Sequence, residues 1–156
     1  QTFTGVPAAP PDLIGELVSL DNVFGYITDH DIRFEARVRI YAPEDKKFWI
    51  CNGGLLLAGA AMGANGTCMW LGNIAPAICR DIVALGYDGR VAEARPLQRM
   101  ASRMDGLIGQ HGVAGVKAAL GLLGFEGIAL RHPRSKLGRG DVDQIRSVLA
   151  QAGLLG

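Results

Sequence analysis

Three short apolar segments, each followed by a stretch with helical spacing, constrain this chain more than any other feature. Residues 22–27, with Val23-Phe24-Gly25-Tyr26-Ile27, end at Thr28-Asp29-His30-Asp31 and give way to a helix over about 31–41. Phe48-Trp49-Ile50-Cys51 stops at Asn52-Gly53-Gly54, ahead of an apolar helix over 55–62 closed by Gly63. Residues 66–71 form the third strand. Asn73 then leads into a helix with Pro76 in its first turn, which runs to about Leu85 and stops at Gly86. Before these units, Pro11 and Asp12 open a short helix over 12–19. After them the strand signal disappears. Leu97, Met100, Met104 and Ile108 recur at helical spacing, residues 113–123 are a very apolar helix, and residues 141–152 are a third, with Asp141 and Gln144 as a capping-box variant and Gly153 as its stop.

Strands that are apolar throughout, each followed by a helix, imply a parallel sheet buried on both faces. Three such strands cannot close a barrel, and a full (β/α)8 domain needs about 250 residues. We therefore expect an α/β chain that is part of a larger barrel: three parallel βα units over residues 1–87, and a three-helix extension over 88–156. Its open edges would be covered by an N-terminal half or by a partner. A small self-sufficient open α/β sheet is the competing architecture. The chain opens on Gln1 rather than methionine, so we expect a cut or processed form; no secretory leader is read at its start.

Composition narrows the function. Sixteen Lys+Arg against 15 Asp+Glu leave a net charge of +1, too balanced for a nucleic-acid or membrane-attracted surface. With 49% apolar and 20% charged residues the chain is globular in composition. The most apolar stretch, residues 55–70, is broken by Gly59, Gly63, Asn65 and Gly66, and so does not read as a membrane span. Cys51, Cys68 and Cys79 have no metal-ligand spacing and apolar neighbours, so they read as reduced, buried thiols of a cytoplasmic protein.

The segment Gly63-Ala64-Asn65-Gly66-Thr67-Cys68-Met69-Trp70-Leu71-Gly72-Asn73-Ile74-Ala75-Pro76 resembles the G-A-x-G-x-x-S-x-x-x-N-x-x-P run of the dihydrodipicolinate synthase / N-acetylneuraminate lyase family. Thr4-Gly5-Val6 with Pro11-Asp12-Leu13, Val116-Lys117-Ala118-Ala119-Leu120 with Leu123-Gly124, and Arg131-His132-Pro133 before Leu137 resemble further family segments in the same order. The resemblance covers nearly the whole chain but only the C-terminal half of the family's (β/α)8 TIM barrel, with its three extra C-terminal helices. It implies a lyase, an aldolase or dehydratase acting on a small 2-oxo acid such as pyruvate, held as a Schiff base on a lysine, usually in an oligomer and with no cofactor or metal.

That lysine ends the sixth strand of the family's barrel in a G-I-K-[DE] pattern. The matching residues here are Gly25-Tyr26-Ile27-Thr28-Asp29, and Ile27 stands at the lysine position with no nitrogen to form an imine. The four lysines of the chain lie elsewhere. Lys46 and Lys47 precede the second strand at the non-catalytic rim, Lys117 is within a helix and Lys136 in a late loop. Asn52-Gly53-Gly54 replaces the S-G-D that usually follows the seventh strand. The expectation is thus a divergent member of the family whose catalytic residues are unknown. The alternatives are an inactive homologue serving as a structural or regulatory subunit, or a fragment whose other half carries part of the site.

In a barrel, function sits at the C-terminal ends of the strands. The polar groups there include Thr28, Asn52, Gly53 and Asn73, which we take as candidate substrate contacts. Asn73 also suits a helix N-cap before Pro76, and Asn52 a plain turn that could still present a carbonyl to the pocket. Asp29-His30-Asp31 reads either as a cap with a solvent-facing imidazole, or as acid–base or metal-binding groups. Trp70, too large for a tight barrel layer, is expected to face a cavity or the ring of helices.

Overall fold

The alternation along each strand decides which side of the sheet is covered. The computed structural model describes residues 9–28, 32–126 and 129–155. Three strands, β1 (Gly25–Thr28), β2 (Lys47–Ile50) and β3 (Gly66–Thr67), pair in parallel in the order β1-β2-β3, with Tyr26 opposite Phe48, Thr28 opposite Ile50 and Thr67 opposite Ile50 on the other side. Phe48 and Ile50 are buried, and the Tyr26 ring stacks on Phe48 with centroids 5.0 Å apart. The intervening residues turn the other way. Ile27 is 51% exposed and pairs with a half-buried Trp49, which lies across Gly66. The expectation that both faces are buried is corrected: the helices cover one face, and no described element covers the other.

Seven helices complete the described chain: α1 (Pro11–Val18), α2 (Ile32–Tyr41), α3 (Leu56–Ala61), α4 (Pro76–Tyr87), α5 (Val91–Gly109), α6 (Gly112–Leu122) and α7 (Arg139–Gln151). Pro11 starts α1, where a missing amide and a fixed φ cost nothing. Gly63 ends the α3 segment at φ +93°, a conformation a Cβ would disfavour. One continuous core joins Phe48 and Ile50 of β2, Leu56 of α3, Ile82 of α4, Met104 and Ile108 of α5 and Leu149 of α7. Each such side chain contributes roughly 1.5–3 kcal/mol by leaving water. A smaller cluster of Val18, Val38 and Ala42 ties α1 to α2.

Several local expectations are corrected. The third strand stops at Thr67, and Trp70 lies in a 3-10 turn (Trp70–Asn73), packed over Gly109 of α5. Gly86 does not end α4. It is buried inside the helix, where a Cβ would come within 2.8 Å of the Ala60 methyl, and the chain turns at Gly89 with φ +74°. Close packing between α3 and α4, rather than a stop, is what requires glycine there. Asn73 is exposed at the end of its 3-10 turn, and the residue capping α4 is Ala75. The α7 helix begins at Arg139 after Gly138, so Asp141 sits in the first turn rather than at the cap. Of the three thiols only Cys79 is buried. Cys51 is half-buried and Cys68 exposed, each just past the end of its strand.

Candidate functional site

Parallel strands bring their C-terminal ends to one rim, so Thr28, Cys51-Asn52-Gly53 and Thr67-Cys68 share one end of the sheet. Ile27 is the β1 side chain that stands on the open face beside this rim. Tyr26 is turned away from the rim toward the helices. Burial pushes its hydroxyl pKa up, against the opposing pull of the Arg39 guanidinium. Tyr26 therefore does not fill the mouth. Under it α2 contributes a fully buried Glu35 and Arg39, whose guanidinium lies 5.4 Å from the Phe48 ring centre.

Thr28 is 6% exposed and shares the helix-facing side with Ile50; its carbonyl accepts from the Cys51 amide at 2.9 Å. Asn52 builds a turn. Its side-chain carbonyl accepts from the Gly54 amide at 2.9 Å, and its backbone carbonyl accepts from the Leu55 amide at 3.0 Å. Gly53 is buried, and its missing side chain has a physical reason. A Cβ there would stand 2.7 Å from the Asp105 carboxylate carbon on α5. The structure thus places Thr28, Asn52 and Gly53 at the rim, while Asn73 lies on the exposed end of the turn before α4. Asp29-His30-Asp31 and Thr4-Gly5-Val6 fall outside the described residues.

Sequence reading missed the residue that holds this rim. Gln98 on α5 accepts from the Leu57 amide at 2.7 Å with its side-chain oxygen and donates to the Gly53 carbonyl at 2.8 Å and to Ser102 at 2.9 Å. It bonds both ends of the turn after β2 to the helical extension. Nothing in its spacing separates it from the other polar positions of an amphipathic helix.

The lysines lie where the sequence reading puts them. The Lys46 ammonium donates to the Leu20 and Val23 carbonyls at 3.0 and 2.6 Å, at the start of the strands, and Lys47 is the exposed first residue of β2. Lys117 in α6 donates to the Ala129 carbonyl at 2.5 Å, and Lys136 is exposed in the loop before α7. A groove of about 620 Å³ opens beside the sheet. It runs between the unpaired edge of β3 and α4, along Gly66, Thr67, Pro76, Cys79 and Val83. Among the described residues, no group of three or more His, Cys, Asp or Glu is placed to hold a metal, and no helix is long and apolar enough to cross a membrane.

Parallel βα units whose sheet is open at both edges among the described residues, with a helical extension clamped onto the strand-end rim, have the architecture of the C-terminal part of a (β/α)8 barrel. The comparisons agree in sequence and in shape. The model of the Dihydrodipicolinate synthetase family matches residues 3–152. An N-acetylneuraminate lyase of Rhizobium meliloti (strain 1021) is 36% identical over 148 residues, 90% of this chain and 47% of the relative. The crystal structure of a dihydrodipicolinate synthase from Thermotoga maritima superposes with a TM-score of 0.81 at 25% identity, covering 94% of this chain and 52% of its own. That of a dihydrodipicolinate synthase from Acinetobacter baumannii, complexed with pyruvate, has a TM-score of 0.83 at 18% identity, covering 93% and 50%. The chain belongs to the dihydrodipicolinate synthetase family. It spans about half the length of the relatives it matches.

Proposed function

We propose that this chain supplies the C-terminal half of a divergent lyase site, of aldolase or dehydratase type, for a small 2-oxo acid such as pyruvate. In this reading no lysine of the chain forms the imine. One observation carries it: at the end of β1 the position that resembles the family's lysine is a half-exposed Ile27 on the open face. A hydrocarbon there can shape a pocket but cannot become an electron sink. The remaining amines support the same reading, since Lys46 is bonded at the opposite end of the sheet and Lys117 lies on α6. The rest of the barrel, or a partner or second copy, would cover the open face and bring the groups that move protons.

Borohydride trapping with pyruvate tests this. The expected result is no covalent adduct on this chain together with turnover of a 2-oxo acid. An adduct on any of its lysines would overturn the imine-free reading. A second reading, an inactive homologue acting as a structural or regulatory subunit, also draws on Ile27. It predicts neither adduct nor turnover, and turnover alone eliminates it.

A further inference from the structure

The helical extension carries a groove of its own. It measures about 540 Å³, inside the roughly 300–1,000 Å³ range of small-molecule pockets. Its apolar walls are Ala118 and Leu122 on one face of α6, Leu130 and Leu137 in the segment before α7, and Val142 of α7. All five are half-buried. No strand residue lines it, so it is distinct from the open edges of the sheet. Lys117 and Lys136 stand in the same lining, which contains no carboxylate among the described residues. The Lys117 ammonium donates to the Ala129 carbonyl at 2.5 Å and so ties α6 to the facing wall. An ammonium has three donors, which leaves others for a ligand. Lys136 is exposed. The segment that forms this wall is basic. Residues 131–139 include Arg131, Arg134, Lys136 and Arg139 and no Asp or Glu, in a chain whose total charge is only +1. Asp141, in the first turn of α7, stands beside Gly138 and outside the lining.

We propose that this groove binds a small amphipathic anion, an aliphatic chain ending in one carboxylate. The chain lies against Ala118, Leu122, Leu130, Leu137 and Val142, and the ammoniums of Lys117 and Lys136 hold the carboxylate. Charge sets the sign of the ligand, because two cations and no carboxylate in the lining favour an anion. The apolar walls set the rest. An anion without a tail leaves them to water, and a tail without a charge leaves both ammoniums unmatched. The groove is the size of one small molecule, whereas a protein partner needs a face of about 800 Å². The site does not depend on the lyase reading, since none of its residues lies at the strand-end rim.

The test is calorimetric titration of the chain with sodium decanoate below its micellar range, with 1-decanol as the tail-only probe and inorganic phosphate as the charge-only probe. One equivalent of decanoate should bind. Decanol should bind at least about tenfold more weakly, the loss expected for a charge-assisted contact. Equimolar phosphate should not displace decanoate. K136Q removes one cation from an exposed position and keeps the fold; decanoate affinity should fall about 2- to 5-fold while that of decanol holds. In the double variant K117Q/K136Q the two probes should bind alike. A118F fills the groove and should abolish binding of both, and the lysine variants decide the matter even where A118F does not fold. No decanoate binding, equal binding of decanoate and decanol by the parent chain, displacement by phosphate, or undiminished binding in a folded A118F chain would overturn the proposal. Decanoate held on the open face of the sheet would show as the last of these.

Discussion

Ile27 and Gly53 show how one side chain sets what the rim can do. Ile27 is half-exposed, so its replacement should alter stability by no more than about 0.5 kcal/mol. I27K should therefore fold and should place an amine on the open face. Its expected signature is a borohydride-dependent pyruvate adduct at position 27, read by peptide mass, where the parent chain gives none. Gly53 lacks such tolerance. G53A should cost about 1–3 kcal/mol in chemical denaturation, because the new methyl meets the Asp105 carboxylate, and the cost should shrink in a D105A background. Cys79 gives a pH signature. Burial, aided by the Asp105 charge, pushes its thiol from 9.0 up to about 11. The folded chain keeps that proton where the unfolded chain has lost it. This contribution to stability is complete below pH 9 and is lost as pH rises through about 11. Unfolding free energy should thus fall more steeply over that interval in the parent chain than in C79A.

At the level of elements, the turn after β2 owes its shape to α5. Q98L should remove an acceptor from the Leu57 amide and a donor from the Gly53 carbonyl, destabilising the chain by about 1–3 kcal/mol. Hydrogen exchange at Leu57 should speed up while amides in α7 stay protected. Three parallel βα units, the α5 periodicity and the family segments were all readable, because period and order in sequence report local burial. Met104 and Ile108 are fully buried as that periodicity requires. What was not readable depended on contacts between distant segments. Gly86 looks like any helix-ending glycine until Ala60 packs against it. Gln98 looks like any surface amide until Gly53 and Leu57 reach it. The short β3 ends early because residues 70–73 wind into a 3-10 turn over α5, an outcome that strand propensity does not contain.

For the whole molecule, the core ignores the boundary between residues 87 and 88 that the sequence reading draws. Phe48 and Ile82 lie on one side of it, Met104, Ile108 and Leu149 on the other, all in one cluster. Trp49 on β2 and Trp70 against α5 should accordingly report the same denaturation midpoint when each is read alone in W70F and W49F backgrounds. Two separated midpoints would show that the barrel units and the helical extension unfold independently. The uncovered face, with Phe24 at 68% and Ile27 at 51% exposure, is the surface most in need of a cover. Phe24 meets Trp49 edge-on at 6.4 Å, so that surface carries its own aromatic cluster.

Trp49 also has an optical consequence. Its indole rests over a glycine, where any Cβ would displace it, and stands half in solvent among the strand ends. Whatever settles on that face must change the polarity around the ring. With W70F removing the second emitter, the chain's ultraviolet fluorescence becomes a label-free gauge of occupancy, whether the visitor is a small acid or another polypeptide.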